Sequence, residues 1–62
     1  MSLILNQVYG IVYRNRNRTT TVFNGRIVAR GRTFIIIRFM NARGVIVRRR
    51  LIIGQIIRAV LI

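Results

Sequence analysis

Arginine carries nearly all the chemistry this sequence can offer. Twelve of its 62 residues are basic, every one of them Arg, and Asp, Glu, His, Cys and Lys are all absent. General acid–base catalysis needs His, a carboxylate or a tuned Lys, and thiol chemistry needs Cys. Ser2 is the single serine and has no base to activate it. Gly-rich phosphate loops of the nucleotide-binding kind are also missing. No catalytic residue is therefore expected, and the chain reads as a non-enzyme with no small-molecule substrate. Metal sites are not expected either, since zinc wants Cys or His and calcium or magnesium want carboxylates. No cofactor is expected. What remains is the guanidinium, a planar fork of donors that grips phosphate and stacks on bases. A net charge of +12 with no acid to balance it points to a polyanion, nucleic acid first.

The arginines fall into clusters. Arg14, Arg16 and Arg18 alternate with Asn15 and Asn17, which reads as a flexible fork for phosphates and base edges, or more plainly as a solubilising turn. Tyr13 sits beside this run and is the aromatic expected to stack on a base. Arg26, Arg30 and Arg32 surround Gly31, and Arg30 and Arg32 share a strand parity. Arg48, Arg49 and Arg50 are consecutive, so one of them must point inward unless the strand ends or bulges there. That places them at a rim. Arg38 interrupts the apolar run Phe34 to Phe39 and, having no carboxylate to pair with, must reach solvent, a carbonyl or a phosphate. Arg43 lies in a loop beside Gly44. These eleven arginines and Tyr13 are the expected RNA-binding set, against the plainer reading of a solvated basic surface. Ordinary surfaces mix both signs. Phe34 and Phe39 are expected in the core.

The elements that must position these residues are strands. Val, Ile, Thr, Tyr and Phe gather in short runs separated by Gly, Asn and Arg, the pattern of an all-β protein. The runs are Tyr9 to Tyr13, Thr19 to Phe23, Arg26 to Arg30, Phe34 to Phe39 and Val45 to Val47. Asn24-Gly25 is the strongest hairpin signal, and Phe34 to Phe39 is expected at the barrel's centre. The last segment, Gln55 to Leu61, could be a strand or a short helix, and its β-branched residues favour strand. Together these predict one domain over residues 1–62, a small SH3-like or OB-like barrel of five to six short strands. Closure of the barrel would remove exposed edges.

Disorder does not fit, because 53% of the chain is hydrophobic. Nor does a membrane-spanning helix, which needs ~20 apolar residues. The longest candidate, Leu51 to Ile62, is interrupted by Gly54, Gln55 and Arg58. No signal peptide is expected at the N-terminus. So small a domain usually needs a disulfide, a metal or a partner; with the first two lacking their residues, a partner is the remaining support.

Ile27-Val28-Ala29-Arg30, then Phe34-Ile35-Ile36-Ile37-Arg38-Phe39, a Gly-containing turn and Val45, resemble a stretch of the large-subunit ribosomal protein two family. Ile53-Gly54-Gln55-Ile56 is similar to that family's Ile-Gly-acidic-Val segment, with Gln for the acid. Leu5-Asn6-Gln7-Val8 and Gly10-Ile11-Val12 are similar to its lead-in. The resemblance covers about two thirds of the chain and is most specific from Ile27 to Phe39. It implies the SH3-like RNA-binding domain alone, without the family's N-terminal OB-like domain or its Gly- and His-rich extension. The implied partners are ribosomal RNA and neighbouring ribosomal proteins, with Arg30 and Arg38 as RNA contacts. The implied location is a ribosome. A composition stripped of acids and strongly hydrophobic looks like a divergent, organelle-encoded ribosomal protein, so a mitochondrion is expected, or otherwise the cytoplasm. Shorter fragments resemble two other RNA-binding families. Arg30-Gly31, Met40-Asn41 and Ile53-Gly54 are similar to Sm-like rings, and Leu3-Ile4-Leu5 with Val45-Ile46-Val47-Arg48-Arg49 to the carbon-storage-regulator dimers. They imply the alternative of a homo-oligomeric RNA-binding regulator. A third reading is a cationic polypeptide acting on anionic lipid, which is disfavoured.

Overall fold

Strict alternation along the strands decides which side chains are buried. A computed structural model describes residues 3–62; the expectation for Ser2 lies outside them. Five antiparallel strands form: β1 Val8–Arg14, β2 Thr20–Arg30, β3 Phe34–Met40, β4 Ile46–Ile52 and β5 Ile56–Leu61, with a one-turn 3₁₀ helix, Ile53–Gln55, before β5. In β1 the odd positions Tyr9, Ile11 and Tyr13 turn inward, as do Phe23 and Ile27 of β2, Ile35 and Ile37 of β3, and Leu51 of β4. Leu3 and Ile56 complete the core. Period-two burial on one face is what an amphipathic strand gives. The C-terminal segment is a strand, in line with its β-branched residues.

The strands lie in one sheet in the order β4-β3-β2-β1-β5, a four-strand meander whose fifth strand returns beside the first. The all-β class and a small fold of five strands are as expected, but the sheet does not close into the expected SH3-like or OB-like barrel. The sheet ends in two free edges, β4 and β5. The centre of the order belongs to β2 rather than β3.

β2 also corrects the hairpin expected at Asn24-Gly25. It runs unbroken from Thr20 to Arg30, pairing with β1 through Arg26 and with β3 from Arg26 onward. A type I′ turn needs positive φ at both central residues, and neither residue has it. Gly25 instead lets β3 come close. A Cβ there would meet the Arg38 carbonyl oxygen at 3.0 Å and the Phe39 Cβ at 3.3 Å. The glycine thus serves a curved sheet, not a turn.

The two tyrosines plug the ends of the core. Both rings are buried, and each hydroxyl accepts a backbone N–H that would otherwise be orphaned. Tyr9 takes the Ile4 N–H at 2.9 Å, which pins the N-terminal segment under the sheet. Tyr13 takes the Ile52 N–H at 3.0 Å, which ties the end of β4 to β1.

Candidate nucleic-acid interface

The β1–β2 connection is a compact turn rather than the flexible fork expected from its alternation. The Arg18 N–H donates to the Asn15 carbonyl at 3.1 Å, and the Asn15 N–H donates to the Thr19 carbonyl at 2.8 Å. Asn17 Oδ1 accepts from the Thr19 N–H and hydroxyl, and Asn15 Nδ2 donates to the Thr19 and Thr21 hydroxyls. Asn and Thr compete well for local backbone groups, so this polar run folds on itself. Its arginines, all exposed, are held out by a defined loop.

That loop forms one wall of a groove of 890 Å³. Asn15, Arg16 and Asn17 line this side, and Arg49, Arg50 and Ile52 of β4 line the other. The Tyr13 hydroxyl and Gln55 form part of the floor, joined by a hydrogen bond of 3.0 Å from that hydroxyl to Gln55 Oε1. The β4 arginines are braced by aromatic rings. The Arg49 guanidinium carbon lies 5.4 Å from the Phe23 ring centre, and that of Arg50 lies 4.4 Å from the centre of Phe34. Cation–π contact restrains a long side chain while leaving its N–H donors outward.

A second concentration of charge crosses the outer face. Arg26 stands opposite Arg38 across β2 and β3, and Arg38 stands opposite Arg48 across β3 and β4. Like charges directly opposed on neighbouring strands repel. Among the described residues there is no Asp or Glu to relieve them. Beside this row, Asn24, Arg26, Arg38 and Met40 border a cleft of 410 Å³.

No family model, curated protein or solved structure matches the chain.

The expected RNA-binding residues do not form one patch. Arg16, Arg49 and Arg50 share the groove, and Arg26, Arg38 and Arg48 form the row. Arg26 and Arg30 also act within the fold: Arg26 donates to the Asn6 carbonyl and Arg30 to the Leu3 carbonyl at 2.7 Å. Both hold the N-terminal segment against β2. Arg30 ends β2 and Arg32 lies in the following turn, so the shared strand face expected for them does not arise. Arg14 ends β1, while Arg18 sits in the β1–β2 turn and Arg43 in the β3–β4 turn. The consecutive arginines lie in the middle of β4 rather than at the strand end and rim expected for them. Arg49 shares the parity of buried Leu51, yet it stays exposed on this edge strand.

Two aromatic expectations are corrected. Tyr13 is 6% exposed, with its ring edge-on to Phe23 at 6.2 Å, so its face is not presented for base stacking. Only its hydroxyl reaches the groove. Phe34 belongs to the outer face instead of the core, where it lies across Gly31 and carries Arg50. Phe39 does pack against the core. Charge patterning alone misses two groups. Gln55 reaches the groove; the sequence marks it only through the resemblance of Ile53-Gly54-Gln55-Ile56 to a family segment, and it carries no charge to suggest a contact. Arg58, on β5 opposite Val12, is an isolated arginine with no cluster to draw notice.

Proposed function

We propose that this chain is a structural, non-catalytic RNA-binding protein of a large ribosomal subunit, held to ribosomal RNA by arginine–phosphate contacts. One observation carries the reading. All twelve arginines are exposed, and the sequence holds no Asp or Glu to neutralise any of them. Isolated surface charges of one sign destabilise a compact chain, and a phosphate backbone is the counter-charge that fits forked donors. The family resemblance supplies the ribosomal part of the proposal, with neighbouring ribosomal proteins as further partners. The composition without acids adds a mitochondrial ribosome, with a cytoplasmic one as the alternative. No helix among the described residues is long and apolar enough to cross a membrane.

The direct test is to isolate the native protein and sequence the RNA that comes with it. Large-subunit ribosomal RNA is expected; a pool of messenger or no RNA at all would overturn the ribosomal reading. A salt titration tests the mechanism. If about six to ten phosphates are engaged, log affinity falls against log salt with a slope of roughly −5 to −9. A slope near zero would remove the phosphate clamp.

A homo-oligomeric RNA-binding regulator is the second reading, favoured by the two unpaired edges of the sheet. Edge strands are ready templates for pairing with another copy. Light scattering on purified protein separates the two. A discrete oligomer supports the regulator, whereas an RNA-dependent monomer supports the ribosomal protein.

A further inference from the structure

We propose that the groove between the β1–β2 turn and β4 takes an unpaired nucleotide of single-stranded RNA, leaving the outer arginine row to hold backbone; this rests on the RNA-binding reading above. Phosphate clamps need donors only, and the row offers little else. The groove differs in its neutral groups. Among the described residues, Gln55 Nε2 and Asn17 Nδ2 have no acceptor, although the oxygens of both amides are engaged. Asn15 has the converse arrangement: its Nδ2 is used twice, which leaves Oδ1 as an unused acceptor.

An acceptor set among arginines is unfavourable for a phosphate, whose oxygens accept and do not donate. It suits a ligand that carries donors as well as negative charge. A nucleotide is such a ligand, because its base edge mixes donors and acceptors while its phosphate takes Arg16, Arg49 or Arg50. Paired bases have already committed those edges, so the base must be unpaired. Size agrees: 890 Å³ falls in the range of about 300–1,000 Å³ typical of sites for small ligands. A double helix is too wide and convex to enter between a turn and a strand edge.

Stacking falls to the guanidiniums. The Tyr13 and Phe23 rings are buried, and Phe34 is already covered by Arg50. The planar surfaces left at the groove belong to arginine, and Arg planes stack on bases as aromatic rings do. Arg49, backed by Phe23 at 5.4 Å, is the braced plane best placed for it.

The test compares two probes on the full chain. One is a labelled single-stranded RNA of about ten nucleotides, and the other is the blunt duplex it forms with its complement, both measured by fluorescence anisotropy at about 150 mM salt. A phosphate clamp alone favours the duplex, with its denser charge. The proposal expects the single strand to bind at least about tenfold tighter. Gln55→Ala and Asn17→Ala should each weaken single-strand binding about three- to tenfold without changing the duplex or the salt slope. Arg38→Ala should weaken both probes and lower the slope by about one. Thermal melts check that the variants remain folded. Amide shifts mapped with the single strand on the unaltered protein give a variant-free readout, expected at residues 15–17, 49–52 and 55. Equal or tighter duplex binding, or shifts confined to the outer face, would overturn the groove assignment and leave RNA binding standing. Failure of both probes to bind would overturn the RNA reading itself.

Discussion

Arg18 occupies a backbone position that glycine fills elsewhere in the fold. The β3–β4 turn repeats the geometry of the β1–β2 turn. The Gly44 N–H donates to the Asn41 carbonyl at 3.0 Å, and the Asn41 N–H donates to the Val45 carbonyl at 2.9 Å. Asn15 and Asn41 therefore open equivalent turns, and Arg18 at φ 68° takes the place of Gly44 at φ 79°. The left-handed region costs a side chain about 1 kcal/mol or more and costs glycine almost nothing. An arginine kept there is strained backbone at a place where a guanidinium is useful. Arg18→Gly should accordingly raise stability by up to about 1 kcal/mol in a urea titration while weakening RNA binding. A loss of stability, or unchanged affinity, would contradict this account. Tyr13 gives the opposite case. Tyr13→Phe keeps the ring but deprives the Ile52 N–H of its acceptor, so a loss of about 1–3 kcal/mol is expected in the same measurement. The groove arginines are legible in the sequence as clusters, whereas the burial of Tyr13 is legible only through its strand parity. Tyr13 stands next to Arg14, at the start of an arginine cluster, but its parity with Tyr9 and Ile11 sets its direction, and proximity in sequence says nothing about that.

Strand pairing turns these residues into surfaces. The alternation of Tyr9, Ile11 and Tyr13 and the run from Phe34 to Phe39 mark two strands by pattern alone. Asn24-Gly25 misleads because a glycine that permits a turn also permits close approach, and only the position of β3 against Gly25 distinguishes the two uses. The row Arg26, Arg38 and Arg48 is hidden for a related reason: register across three strands is a long-range property that no local pattern encodes. Arg38 faces a like charge on both sides, so Arg38→Thr should stabilise the free protein by about 0.5 kcal/mol at low salt. The gain should fade as screening increases, because exposed charges interact weakly at high ionic strength. If the variant is less stable at every salt concentration, repulsion is not what the row contributes. The free edge of β5 leaves apolar surface beside unpaired backbone. Ile57 is 49% exposed at the irregularity where β5 leaves register with β1. Ile57→Lys should slow aggregation without RNA and shift stability by no more than about 0.5 kcal/mol. Light scattering and melting curves read the two effects separately.

Across the whole molecule, charge without carboxylates changes how the fold responds to its surroundings. Acid unfolding in most proteins follows from protonating side-chain carboxylates that are paired or hydrogen-bonded in the native state. This chain has no Asp or Glu, and no buried charged group occurs among the described residues. Stability changes with pH only where folded and unfolded states bind different numbers of protons, and the side chains that usually supply the difference between neutrality and pH 3 are missing. With no side-chain carboxylate to gain a proton preferentially on unfolding, stability has no reason to fall as pH falls. Far-ultraviolet circular dichroism and the urea midpoint should therefore be nearly the same at about pH 3 and pH 7, provided ionic strength is matched. Salt should matter more than acid. Raising ionic strength screens the repulsion among twelve arginines and should move the midpoint upward, with polyphosphate or RNA acting at far lower concentration because binding to the folded state adds directly to stability. A midpoint that collapses at pH 3 but ignores salt would show that arginine repulsion is not the main electrostatic cost of this fold. The proposal that a phosphate backbone supplies the counter-charge this fold needs would then lose its physical basis.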